Sequence, residues 1–339
     1  MVKKRYAILF IALIIILLLS ILVSSLLGRF TMSIGEVIQA VWIKLSFSRT
    51  DTFDNAINVL FKVRFPRIFV AIGVGMALSA AGASYQGLFR NPMVSPDILG
   101  VSSGACFGAS IAILLEMNKF GIQMMAFVFG IGAVSLTYLV SEIAKNKSQG
   151  ILMLVLAGMV TESIFSALLS STKYLADSED KLPAITFWLM GSLASVTSKD
   201  VKLLMTLLCI GYIPLYLVRW KINVMACGEE EAQAMGLNTK RLQLLIVGCS
   251  TLLAAASVSI AGKVGWTGLI VPHIARLLVG PDYKRLLPVT ALIGGIFLLI
   301  VDDLCRTLIL AEVPLGILTS LCGAPFFLYL LIKGKDNML

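Results

Sequence analysis

Charge is what this sequence has little of. Only 14% of its 339 residues are charged, and mean hydropathy is +0.93. A soluble domain carries about 25% charge, so an ordinary soluble enzyme is excluded. Histidine is reduced to His273, which excludes a multi-histidine metal centre. The six cysteines (Cys106, Cys209, Cys227, Cys249, Cys305 and Cys322) have no CxxC spacing and mostly sit in apolar stretches. They read as small packing residues, not disulfides or ligands. No GxxxxGK[ST] phosphate loop occurs, since Gly262-Lys263 is followed by Val264. No Ser/His/Asp or paired-carboxylate constellation occurs either. The chain is expected to bind no cofactor or metal of its own and to hydrolyse no nucleotide.

What the sequence does have is apolar runs of about 20 residues, each long enough to cross a bilayer core of about 30 Å. They fall near 7–27, 67–87, 97–115, 122–143, 151–171, 200–219, 242–261, 264–280, 286–309 and 314–332. The expected fold class is an all-α polytopic membrane protein, a single transmembrane domain over 1–339 with about ten transmembrane helices. The first run is too long for a signal-peptide core and reads as a retained helix. Span 264–280 is interrupted by Pro272. An even number of spans puts both termini on one side. Outside the long loop between the first two spans, Lys and Arg favour that side, which makes it the cytoplasmic one. The net charge of +9 is spread over short membrane-flanking clusters, so it indicates lipid contact, not nucleic acid.

The long loop carries its own structure. Ser33-Ile34-Gly35-Glu36 has the capping-box pattern, followed by Ile34, Val37, Ile38, Val41, Trp42 and Leu45 at helical spacing. An amphipathic helix over 33–45 is predicted, lying on the outer membrane face or on the bundle. Between spans five and six, a break over 173–183 precedes a short apolar segment, 185–196, too short to span. Gly73, Gly75, Gly82, Gly294 and Gly295 fit close helix packing, with broken helices along a path as the alternative.

Between spans six and seven stands Gly228-Glu229-Glu230-Glu231-Ala232-Gln233-Ala234-Met235-Gly236. Three carboxylates in a first turn suit the positive helix end, and Gly236 is a natural left-handed terminator. A helix over about 228–237 is marginal alone and makes sense packed against a partner protein.

Several segments together resemble one family, the membrane permeases of binding-protein-dependent importers for iron-siderophore, haem and vitamin B12. They are Arg64-Phe65-Pro66-Arg67, then Gly82 to Gly87 with Gln86, then Arg90-Asn91-Pro92 through Val101. Further on come Trp188-Leu189-Met190-Gly191, the Gly228–Gly236 segment, Gly268 through Pro272-His273 to Arg276, Asp302 to Arg306, and Glu312 to Gly316. The match runs in order from about residue 64 to the C-terminus. The resemblance implies a homodimer in the cytoplasmic membrane, with translocation along its axis. Two separate ATP-binding cassette ATPases would hold ATP and Mg. Gly228, Glu229, Glu230, Glu231, Ala232, Met235 and Gly236 would form the coupling helix that docks on them. A substrate-binding protein would meet Arg64, Arg67 and Arg306 outside, through arginine–carboxylate forks. Asp302, one turn before Arg306, would hold that arginine by an i, i+4 bridge.

Gln86, Asn91, Pro92, Glu162, Trp188, Gly191, Pro272, His273 and Asp302 are expected to be pathway or structural-motif residues. Glu162, deep in span five, either faces a cavity or partner or is satisfied by neighbouring Ser and Thr. His273 reads as a packing residue of its motif, and Trp188 and Trp266 as packing anchors. Val264-Gly265-Trp266-Thr267-Gly268 stands where the family usually has Ile-Gly-Phe-Val-Gly, and Asp303 is an extra carboxylate. The expected function is import of a metal chelate, iron(III)-siderophore first, with corrinoid, haem or a molybdate-type oxyanion as alternatives. A secondary transporter would have to couple an ion gradient through Glu162, Asp302 or Asp303.

Overall fold

α4 (Phe65–Leu88) lies at the centre of the computed structural model, which describes residues 2–28, 32–46, 54–144, 150–309 and 311–334. It is buried almost all round because its sequence is Ala, Gly and Ser at most inner positions. Small side chains let neighbouring backbones approach, the usual source of helix association in lipid. A Cβ on Gly75 would strike the Gly294 carbonyl, and one on Gly82 would strike that of Gly268. For these glycines close packing is therefore the explanation.

Around α4 pack α9 (Ser198–Cys227), α11 (Thr239–Ala261), α12 (Thr267–Val279) and α13 (Tyr283–Thr307). α5 (Val101–Leu114), α6 (Lys119–Ala144) and α7 (Gly150–Leu175) form a second group joined to the first through α11. α1 (Val2–Leu26) lies against α13 with most of its apolar surface outward. α14 (Leu315–Gly334) closes the chain beside α12 and α13.

Among the described residues, seven helices have the length and hydropathy to cross a membrane, and three shorter apolar ones, α5, α12 and α14, stand where three further spans are expected. The chain is thus an all-α multi-pass membrane protein. No strand occurs among the described residues. At 1.5 Å per residue, α5 covers only about 21 Å. The 3-10 turn Pro96–Leu99 and left-handed Gly100 complete its passage. α12 likewise begins only after the non-helical stretch 262–266.

Three boundaries depart from the sequence expectation. The segment near 185–196 divides into α8 (Lys181–Met190) and an irregular turn. α9 runs on to Cys227, eight residues beyond the expected end of its span, and so projects about 12 Å further. α4 is preceded without a break by α3 (Asp54–Asn58) and a π-helical turn, Val59–Arg64.

α2 (Ile34–Leu45) forms as its capping box predicts. The Ser33 N–H donates to Glu36 Oε2 at 2.7 Å, and the Glu36 N–H donates to Ser33 Oγ at 3.3 Å. Hydrogen bonding from the Ser33 backbone N–H, and then from its hydroxyl, holds the Glu36 carboxyl below the usual carboxylate range. Val37 and Ala40 pack on Met32 and Leu60. Ile34, Ile38 and Trp42 form an exposed stripe, Trp42 at 72% exposure.

Candidate functional site

The first candidate is the acidic segment after α9. α10 (Glu229–Ala234) is six residues long, shorter than the expected 228–237, and sits between the projecting ends of α9 and α11. Ala232 is its buried anchor, whereas Glu230, Glu231, Gln233 and Met235 face outward. Thr239 ties the turn to α11, donating to Glu229 Oε1 at 3.3 Å and accepting from Gln233 Nε2 at 3.1 Å. Asn238 caps α11 by accepting from the Arg241 N–H at 3.0 Å. Gly236 has φ +82°, with its N–H donating to the Gln233 carbonyl at 2.9 Å. The left-handed terminator is therefore where the sequence places it. The result is a short acidic knob held at both ends by longer helices.

The second candidate is the arginine group at the opposite end. Arg64, Arg67 and Arg306 do come together there, but facing inward. Arg67, 7% exposed, donates from Nε to Asp302 Oδ2 at 2.9 Å and from Nη1 to Glu312 Oε1 at 2.9 Å. Arg64 is buried and donates to the carbonyls of Ser25 and Leu26. Arg306 donates from Nη2 to Asp303 and, at 2.7 Å, to the Ser24 carbonyl. The Ser24 hydroxyl bonds Asp303 Oδ1 at 2.7 Å.

Two expectations are corrected here. In the single chain, the arginines form no exposed carboxylate-binding patch, because internal carboxylates and carbonyls already occupy their forks. Nor does Asp302 hold Arg306. Successive helical residues point about 100° apart, so Asp302 faces α4 and Arg67, while Asp303 faces α1 and takes Arg306 at i, i+3. The three arginines lock α1, α4, α13 and the segment before α14 together.

The remaining motif residues divide into joints and exposed positions. Gln86 links α4 to α12, accepting from Arg276 Nη2 at 2.9 Å and donating to the Val94 carbonyl at 3.3 Å. Asn91 Oδ1 accepts the Met93 N–H at 2.9 Å, shaping the exposed turn that contains Pro92. Pro272 has no N–H for the Gly268 carbonyl, the oxygen that lies against Gly82. His273 is half-buried on α12.

Gly191, at φ +77°, accepts the Leu315 N–H at 3.0 Å and sits against Gly262. Trp188 packs on Ala105, Ala109, Ala126 and Val258, and lines a cavity of about 450 Å³ with Lys119, Gln123, Ser192 and Ser195. Trp266 adopts φ +66°, uncommon for a non-glycine residue, and lies near Phe327. Glu162 is exposed on α7, and its side chain has no hydrogen bond or ion pair among the described residues. The reading in which nearby Ser and Thr satisfy it is thus overturned.

Sequence reasoning missed the Asp200 joint. Asp200 accepts from Lys119 Nζ at 2.7 Å, Gln123 Nε2 at 2.8 Å and the Thr197 N–H at 2.7 Å. The signal was present in Thr197-Ser198-Lys199-Asp200, a capping-box pattern with Asp at the third helical position.

The FecCD transport family matches residues 14–333. A molybdate import system permease protein, MolB of Haemophilus influenzae, is 40% identical over 325 residues, covering 95% of this chain and 94% of that protein. A cobalamin import system permease protein, BtuC of Halobacterium salinarum, is 41% identical over 280 residues, covering 82% and 74%. A solved structure described as an inward-facing conformation of a metal-chelate type ABC transporter superposes with TM-score 0.86 at 37% identity, covering 96% of this chain and 99% of that one. With seven spanning helices and three shorter apolar ones around a glycine-rich centre, and a match over nearly its whole length, the chain belongs to the FecCD transport family and is a permease of the ABC importer class.

Proposed function

We propose that two copies of this chain enclose a shared pathway, with both termini cytoplasmic, and import a metal chelate, iron(III)-siderophore in the first instance. Two ATP-binding cassette ATPases hold the ATP and Mg and dock on α10. A substrate-binding protein delivers cargo from the other side. The observation that carries this reading is α10 itself. Its outward carboxylates and Met235 (68% exposed) are presented beyond the ends of α9 and α11. A helix this short contributes little to stability alone, so its rigid mounting suits transmission of force.

A second reading of the cargo is an oxyanion of the molybdate type. It is favoured by the molybdate permease relative, which matches over 95% of the chain.

The test is co-purification with the ATPase for wild type and for Glu229→Lys, Glu230→Lys and Glu231→Lys combined. Charge reversal at the positive helix end should strip the ATPase from the variant while leaving it in the membrane. Normal ATPase recovery with normal transport would refute the coupling role. Uptake of radiolabelled ferric siderophore against molybdate, with the cognate binding protein present, decides the cargo.

A further inference from the structure

We propose that the cleft between α1, α12 and α13, at the α10 end of the bundle, binds the headgroup of an anionic phospholipid. The cleft has a volume of about 320 Å³ and is lined by Arg5, Tyr6, Leu9, Leu278, Val279 and Arg285. Its wall is cationic on one side and aliphatic on the other. Arg285 lies 5.8 Å from the centre of the Tyr6 ring. Arg219 is a third cation within electrostatic reach of Tyr6. Its guanidinium stacks 3.7 Å over Tyr216, and its buried Nε has no acceptor.

The charges around the cleft do not balance. Asp282 is the carboxylate nearest to Arg285, at 4.0 Å. Its Oδ1 accepts from Asn223 Nδ2 at 2.7 Å and from the Lys284 N–H at 3.0 Å, and its Oδ2 faces Arg285 at the edge of ion-pair range. Among the described residues, neither Arg5 nor Arg219 has an ion pair. Two guanidiniums line the cleft, Arg219 stands near Tyr6 beside it, and one carboxylate lies among them, an arrangement that favours a phosphate-bearing occupant.

The surroundings select a lipid over a soluble phosphate. Ile8, Leu277 and Leu278 continue the aliphatic wall onto the outer surface of the bundle, where acyl chains would lie. Trp220, Tyr216 and Tyr6 mark the interfacial level at which headgroups sit. Basic pockets between transmembrane helices at that level are suited to anionic headgroups. The volume admits a phosphoglycerol group and little more. A lipid held here would tie α1 to α12 and α13, with Arg219 of α9 beside it ten residues before α10 begins. The binding site itself stands whether or not α10 docks an ATPase.

The test is native mass spectrometry of the purified full chain in delipidating detergent, with dioleoyl phosphatidylglycerol or dioleoyl phosphatidylcholine added back. Wild type should retain the glycerol lipid at least about tenfold better than the choline lipid. Arg5→Gln, at an exposed position, should lower that retention about fivefold, and Arg219→Gln with Arg285→Gln about 25-fold. The matching Lys variants should keep most of it. Lys240→Gln, an exposed cation held by Glu142 away from the cleft, should change nothing. Equal retention of both lipids, or equal losses for Arg5→Gln and Lys240→Gln, would overturn the site in favour of diffuse surface attraction. Displacement of the lipid by millimolar inorganic phosphate would overturn it in favour of a free-phosphate site. Should the double Gln variant not fold, the comparison of Arg5→Gln with Lys240→Gln still decides.

Discussion

Arg67 and Asp302, 235 residues apart, form a buried two-point fork in which Nε and Nη2 of the arginine both donate to the carboxylate. Glu312 takes the remaining edge of the same guanidinium. Neither charge of the fork is left to solvent. Removing one partner abandons the other in a low-dielectric site, which costs about 3–5 kcal/mol, whereas replacing both with apolar residues is often nearly neutral. Arg67→Leu, which strands the buried Asp302, should lower stability by that order, and Asp302→Leu by less, because Glu312 still pairs Arg67. The double variant should lose clearly less than the sum. Denaturant unfolding in detergent measures all three, and strict additivity would remove the pair from its structural role.

Arg306 and Asp303 make the corresponding point at the same end of the bundle. Asp303→Asn should destabilise the end of α13 and loosen α1, because the same carboxylate accepts from Ser24. Asp302→Asn should leave Arg306 in place. Limited proteolysis near the C-terminal end of α1 would separate the two variants. Equal protection would restore the i, i+4 arrangement that the spacing suggests.

Much of this architecture was legible in sequence, and what was not has a physical reason. α2 could be read because Ser33 and Glu36 satisfy each other locally, with no need of the rest of the chain. Gly236 could be read because a positive φ belongs to glycine wherever it occurs. The pairing of Arg67 with Asp302 could not, since it depends on which side of α13 meets α4. A one-residue choice between Asp302 and Asp303 rotates the carboxylate by about 100°. Glu312 was quoted only as part of a motif, because its partner comes from a helix 245 residues away. The overrun of α9 to Cys227 was hidden because hydropathy marks the membrane edge and not the end of a helix. Its last turns are polar on one side yet still packed through Ile222 and Met225.

Gly236 offers a local test. No atom lies within 4 Å of a Cβ placed there, so any penalty for a side chain is conformational and not steric. Gly236→Val should cost at least about 1 kcal/mol, since a β-branched residue resists positive φ, and Gly236→Asn distinctly less. Substrate-stimulated ATP hydrolysis by the assembled transporter is the readout. Equal and negligible effects would remove the capping role.

Glycines inside the helices should divide by what faces them. A Cβ at Gly75 meets the Gly294 backbone, which cannot rotate away as a side chain can, and Gly82 meets Gly268 in the same manner. Gly248, within α11, has nothing within 4 Å of its Cβ position and an ordinary helical backbone. Gly75→Ala and Gly82→Ala should therefore force α13 or α12 away from α4, costing about 1–3 kcal/mol as overpacking does. Gly248→Ala should be neutral or stabilising by up to about 1 kcal/mol, because alanine is the better helix former. Thermal unfolding of the three variants in one detergent compares them directly. If Gly75→Ala and Gly248→Ala behave alike, the close approach of α4 and α13 is not what holds the centre of the bundle.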